Sequence, residues 1–183
     1  MSSVEFCYPA DLFESGAMDQ DWSCVVVRPR WEKKFSRLLV AWSMPHFLPL
    51  FERRTVSGGK ARRSRLPLFP GYVFLLGRYA RRRFSDSDCV VRVIVPDNEP
   101  ARLGLAKDIE AVQALLASGE PVMPEIPLTP GQRVRVLAGA LEGMVGEFVK
   151  IGGQGQLTIW INMLGVGAAV KLPPEIPVQP EEE

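Results

Sequence analysis

Cysteine and histidine are scarce in this chain, and their scarcity removes whole classes of function. Three cysteines among 183 residues, none in CxxC spacing, offer neither a disulfide framework nor a zinc site. Cys7, Cys24 and Cys89 are therefore read as free thiols. The single histidine, His46, stands in a Met-Pro-His-Phe stretch with no nucleophile or metal-ligand partner at useful spacing, and is read as a solvated or capping residue. A GxxxxGK phosphate loop is also missing. No catalytic residue, metal or cofactor is assigned, and the chain is not expected to be an enzyme. Long apolar runs are absent too: the longest, near Phe69 to Leu76, is far shorter than the roughly 20 residues that span a bilayer. The first 21 residues carry Glu5, Asp11, Glu14, Asp19 and Asp21 in place of the basic start and apolar stretch of a secretory signal. The expectation is a cytoplasmic protein without a membrane segment.

What is present is an ordinary globular mixture, 46% hydrophobic and 23% charged, enough for one or two domains with a core. The net charge of +1 hides a segregation. Between Trp22 and Val95 stand 16 Lys and Arg against four acids, so the rest of the chain is acidic. The bases cluster: Arg28, Arg30, Lys33, Lys34 and Arg37; then Arg62, Arg63 and Arg65; then Arg81, Arg82 and Arg83. Clustering of this kind points to a polyanion, and nucleic acid is the partner it fits.

The pattern of apolar residues predicts the elements. Trp22 to Val27 is β-rich and ends at Pro29. A helix follows over Trp31 to Met44, with Phe35, Leu38, Leu39 and Trp42 on one face. Phe47 to Val56 and Ala61 to Leu66 read as strands around a Ser57 to Lys60 tip. In PLFPGYVF, Pro67 to Phe74, a Pro-Gly turn is flanked by Phe69 and Tyr72 and runs into an apolar strand. Val90 to Val95 makes another strand. Lys107 to Ser118 makes a second helix, with Ile109, Val112 and Leu116 inward and Gly119 ending it.

Three prolines in Glu120 to Thr129 suggest an extended linker. Beyond it, Val134 and Val136 alternate with arginines, and Met144 to Ile151 and Gln156 to Ile161 repeat a strand pattern punctuated by glycines. These short strands imply a small barrel. Nine glycines between Pro130 and Leu172 also oppose any helical form of this region. The tail, residues 179–183, is expected to be disordered, and residues 1–21 to be an acidic extension.

These motifs carry a resemblance. The opening strand at Trp22, Arg28 with its helix, FLPLF at Phe47 to Phe51 and PLFPGYVF resemble the N-terminal domain of the NusG/RfaH family of transcription elongation factors. PGQRVRVLAGALEGMVGEFVKI, Pro130 to Ile151, is similar to the KOW motif. The resemblance implies an α+β protein: an α/β sandwich over residues 22–119, with an antiparallel sheet and flanking helices, a linker at 120–129, and an SH3-like KOW barrel at 130–178. It implies a monomer that binds the clamp of RNA polymerase and suppresses pausing or termination. The polymerase-facing surface would be Val26, Phe69, Pro70, Tyr72 and Phe74, with the aromatics as exposed anchors. Non-template DNA would meet Arg28, Arg30, Lys33, Lys34, Arg37 and Arg81 to Arg83. In the KOW turn, Leu141, Glu142 and Gly143 would face the termination factor Rho or a small-subunit ribosomal protein. The acidic leader leans the reading toward a specialised, operon-linked paralogue. A housekeeping family member and a ribosome- or RNA-binding KOW protein are the alternatives.

Overall fold

A computed structural model describes residues 6–14, 21–57, 60–85, 87–125, 132–151, 154–173 and 176–181. The chain divides into two units, residues 1–50 with 69–110, and residues 51–68 with 111–183. The division falls inside a helix, after Glu110.

The first unit is built on a five-stranded antiparallel sheet. Its strands are β1 (Cys7–Tyr8), β2 (Trp22–Val27), β3 (His46–Phe47), β6 (Tyr72–Leu76) and β7 (Val90–Ile94), in the order β1-β3-β6-β2-β7. The helix α1 (Glu32–Ala41) packs on one face. Alternation decides which residues meet it: Val25 and Val27 of β2 and Val73 and Leu75 of β6 join Phe35 and Leu39 in one buried cluster. Leu38 is only half-buried and Trp42 is exposed, so the inward stripe of α1 is narrower than its spacing predicts. The acidic leader is part of this unit over its described residues. Phe6 joins the α1 cluster, Cys7 pairs with Phe47 and Tyr8 with His46, and Phe13 stacks on Trp22 at 5.9 Å and meets Phe47 edge-on at 5.1 Å. Four apolar residues, Phe6, Tyr8, Leu12 and Phe13, explain why a segment read as an appendage is held.

The second helix, α2 (Glu99–Ala117), begins eight residues before the expected Lys107. Asn98 caps it, its Oδ1 accepting the Ala101 N–H at 2.9 Å, and Pro100 sits in the first turn, where a missing N–H costs nothing. Ile109 and Val112 are buried as expected, but Leu115 replaces Leu116 as the most buried leucine of that turn.

In the second unit, β4 (Leu50–Ser57) and β5 (Lys60–Pro67) form a two-stranded ribbon, whose tip residues 58 and 59 lie outside the described residues. The other strands are β8 (Val122–Glu125), β9 (Gln132–Val136), β10 (Val145–Ile151), β11 (Gln154–Ile161), β12 (Val166–Leu172) and β13 (Val178–Pro180). They make a six-stranded antiparallel sheet in the order β13-β9-β10-β11-β12-β8. Two expectations are corrected here. The stretch read as a linker supplies β8, which pairs with β12 from Val122 to Glu125, while residues 126–129 lie outside the described residues. The tail read as disordered supplies β13, paired with β9, and Glu181 accepts from the Arg135 guanidinium at 2.6 and 3.1 Å; residues 182 and 183 are not described. Strand glycines make room for aromatics: a Cβ on Gly167 would stand 2.7 Å from the Trp160 ring, and one on Gly155 would stand 2.6 Å from Phe148.

Candidate functional site

The Pro70–Gly71 turn is fixed from beneath. Glu32, in the first turn of α1 and only 4% exposed, accepts the Gly71 N–H at 2.7 Å, and the Gly71 carbonyl accepts the Val27 N–H at 2.8 Å. Gly71 has φ +85°, a conformation a side chain would strain. The turn launches β6, and there Tyr72 stands opposite Val26, which in turn stands opposite Arg92 of β7. Paired residues in an antiparallel sheet project to one face, so Val26, Tyr72 and Arg92 form a single rung. Val26 and Tyr72 are half-buried; Pro70 and Arg92 are exposed.

Phe69 and Phe74 are not exposed anchors. Both are 1% exposed, and their rings meet edge-to-face at 6.0 Å. The reason is position in the sheet. Phe74 pairs with Cys24 on one side and Phe47 on the other, well inside the sheet, and the Pro-Gly turn folds Phe69 back over it. They belong to the core, and the sheet end keeps Val26, Tyr72 and the turn as its accessible part.

The first and third basic clusters come together at the start of β7. The Arg28 N–H donates to the Cys89 carbonyl at 2.8 Å, and the Arg81 guanidinium donates to the carbonyls of Val91 at 3.1 Å and Val90 at 3.4 Å. Arg81 to Phe84 form a 3-10 turn pinned by Phe84, which is 2% exposed and packs against Phe35, Trp42 and Tyr79. Arg28, Arg30, Lys34, Arg37, Arg81, Arg82 and Arg83 are exposed and Lys33 is half-buried. The Lys34 ammonium lies 4.0 Å from the centre of the Trp31 ring, a cation over an aromatic face. Arg30 holds φ +69°, which turns the chain between β2 and α1. Cations here stand beside the indole rings of Trp31 and Trp42, a combination of positive charge and aromatic faces of the kind found in single-strand binding grooves.

In the second unit, the turn between β9 and β10 is held by a Met144 N–H to Leu141 carbonyl bond of 3.0 Å and a Gly143 N–H to Val136 carbonyl bond of 2.8 Å. Leu141 is 4% exposed and lines a small pocket with Lys171 and Ile176, so it does not face a partner as expected. An apolar residue at that place turns inward; Glu142 and Gly143 remain exposed.

His46 is also corrected: it is fully buried, with Nδ1 donating to the Met44 carbonyl at 3.0 Å and Nε2 lying 2.6 Å from the Ser36 hydroxyl. Burial pushes the Cys24 thiol far above the ordinary range and, with Asp11 beside it, raises Cys7 to about 11. Neither is poised as a nucleophile. Among the described residues, no three His, Cys, Asp or Glu side chains are grouped to hold a metal ion, and no helix is long and apolar enough to cross a membrane.

Comparison with known proteins bears on the segment that holds this sheet. Residues 20–105 match the NusG family, described as transcription termination factor nusG. The matched segment holds β2, α1, the Pro70–Gly71 turn, β6 and β7, and ends within α2. Over that segment the chain is similar to the NusG family. No curated protein matches the chain. Two site residues escaped the reading of the NusG-like segment as sequence. Arg92 carried no signal, because its place beside Val26 depends on strand pairing. Glu32 carried one: it is the acid in the first turn of a helix, where a carboxylate is favoured and free to reach a neighbouring N–H.

Proposed function

We propose that this chain is a transcription elongation factor that docks on the clamp of RNA polymerase and suppresses pausing or termination, as a specialised, operon-linked relative of NusG. The observation that carries the reading is the NusG match over residues 20–105, laid over a sheet whose accessible end is Val26, Tyr72 and the Pro70–Gly71 turn. Phe69 and Phe74 support that end from within, and no reaction is catalysed. The bases around Arg28, Lys34 and Arg81 attract the displaced non-template strand. Residues 130–178 serve as a KOW barrel whose Glu142 and Gly143 meet a second partner, Rho or a small-subunit ribosomal protein.

Binding of the chain to elongating polymerase tests the reading. The double variant Val26→Ser, Tyr72→Ala is expected to lose about 2 kcal/mol of affinity, roughly thirtyfold, beyond what its unfolding transition, measured alongside, accounts for. Unchanged binding removes the docking surface. The family's description as a termination factor favours a second reading, a factor that promotes termination. Transcription through a terminator separates the two: readthrough rises with added protein on the first reading and falls on the second. A ribosome- or RNA-binding KOW protein would instead lose its complex on ribonuclease treatment, which a polymerase complex survives.

A further inference from the structure

The β4–β5 ribbon stands apart among the described strands. From Glu52 to Arg65, every described side chain on its two strands is exposed, including Val56 at 76%. The strands hold six Lys and Arg against the single acid Glu52. Two strands without a packed face are at best marginally stable in water, and like charges on them repel, so nothing in folding calls for this composition.

The distribution of charge over the two faces is informative. Arg63 lies 3.6 Å from Glu52, which places those two on one face. Alternation then sends Arg53 of β4 and Lys60 and Arg62 of β5 to the other face, which has no acid. The ribbon between Glu52 and Arg65 also has no aromatic residue, hence no platform for stacking unpaired bases. Eight-residue strands extend about 25 Å, and a two-stranded ribbon is one of the shapes that the major groove of B-form DNA admits.

We propose that the ribbon binds duplex DNA, with Arg53, Lys60 and Arg62 on its phosphates. The ribbon shares no residue with the docking sheet end or the Trp31-bearing patch, and the proposal goes beyond the reading above, since no polymerase is required for it. Single-stranded nucleic acid fits it poorly for want of stacking, and A-form RNA because its major groove is deep and narrow.

Fluorescence anisotropy of the full chain with a labelled DNA duplex, the corresponding single strand and the corresponding RNA duplex, over a range of salt, tests the proposal. For the variant Arg53→Ala, Lys60→Ala, Arg62→Ala, duplex DNA affinity is expected to fall at least tenfold at about 0.1 M salt. Its slope of log affinity against log salt should become shallower by about 2.7, at roughly 0.9 per phosphate contact. Single-strand affinity should change less than about threefold. The variant Arg53→Lys, Arg62→Lys should keep the slope, since the charge remains. All three positions are exposed, so the unfolding midpoint should stay in place and certify the fold. An unchanged duplex affinity, an equal loss for the single strand, or RNA duplex bound as tightly as DNA would each overturn the proposal.

Discussion

The two arginine-rich surfaces of this protein have similar composition and opposite construction. Around α1 the cations ride on a core: Phe84 is buried beneath Arg81 to Arg83, Lys34 lies over Trp31, and the Arg81 guanidinium is tied to two backbone carbonyls. On the β4–β5 ribbon the cations have only a strand under them, and the Arg63 to Glu52 pair is 64% and 45% exposed. Charge set on a packed base is oriented before a ligand arrives; charge on a bare ribbon supplies attraction and reach. The first arrangement ties the placement of charge to fold stability. The second leaves the two independent.

The largest expected effect breaks that coupling at its base. Phe84 touches three aromatic side chains and is almost fully buried, so Phe84→Ala should cost about 3–5 kcal/mol of stability and free the Arg81 to Arg83 turn from α1. Val56→Ala on the ribbon should stay within about 0.5 kcal/mol, because Val56 is already in water. Denaturant unfolding of the two variants checks both numbers. Comparable losses would mean that the ribbon is also a packed element.

The comparison also shows what sequence alone can carry. Trp22–Val27, α1 and β6 were legible because one-sided burial imposes a period of two or 3.6 residues on the apolar positions. Strand β12 was not. In VGAAVKL, Gly167 to Val170 are all buried and small, so no alternation survives, and the reason for Gly167 lies across the ladder in Trp160. The start of α2 was signalled by Asn98 and Pro100 but obscured by Gly104, an internal glycine in a long helix. At the candidate site, the Pro-Gly turn and the aromatics were visible, whereas their exposure was not. Whether Phe69 or Tyr72 meets solvent depends on which strand stands beside Phe74, and that is tertiary information. The three basic clusters were all visible, yet only pairing at β7 reveals that two of them share a surface.

An intermediate effect sharpens the link between the α1 patch and the sheet end. Glu32 is buried and bonds the Gly71 N–H, so one residue ties the helix that bears Lys33 and Lys34 to the turn that launches Tyr72. In Glu32→Ala the Gly71 N–H loses its partner within the protein, at a cost of about 1–3 kcal/mol, and Glu32→Gln should restore most of it because an amide oxygen still accepts. Hydrogen exchange at Gly71 should quicken in the first variant and not in the second. Equal protection in both would show that the backbone bonds of the turn suffice without Glu32.

The remaining prediction concerns how each surface uses its charge. If the α1 patch holds a displaced single strand, log affinity of the chain for single-stranded DNA falls with log salt by roughly 0.7 per phosphate contact. Arg28→Ala with Lys34→Ala should flatten that slope by about 1.4 and leave the duplex slope nearly untouched. Replacing Trp31 with Ala should weaken single-strand binding by about 1–3 kcal/mol if a base stacks there, with the slope preserved, because stacking releases no counterion. The two changes are therefore separable in one salt titration. Cations alone would give a changed slope with no effect at Trp31, and the patch would then attract DNA in the same undirected way as a bare basic strand. A lost intercept with an intact slope for Trp31→Ala is the result that distinguishes a surface built on a core from one that only carries charge.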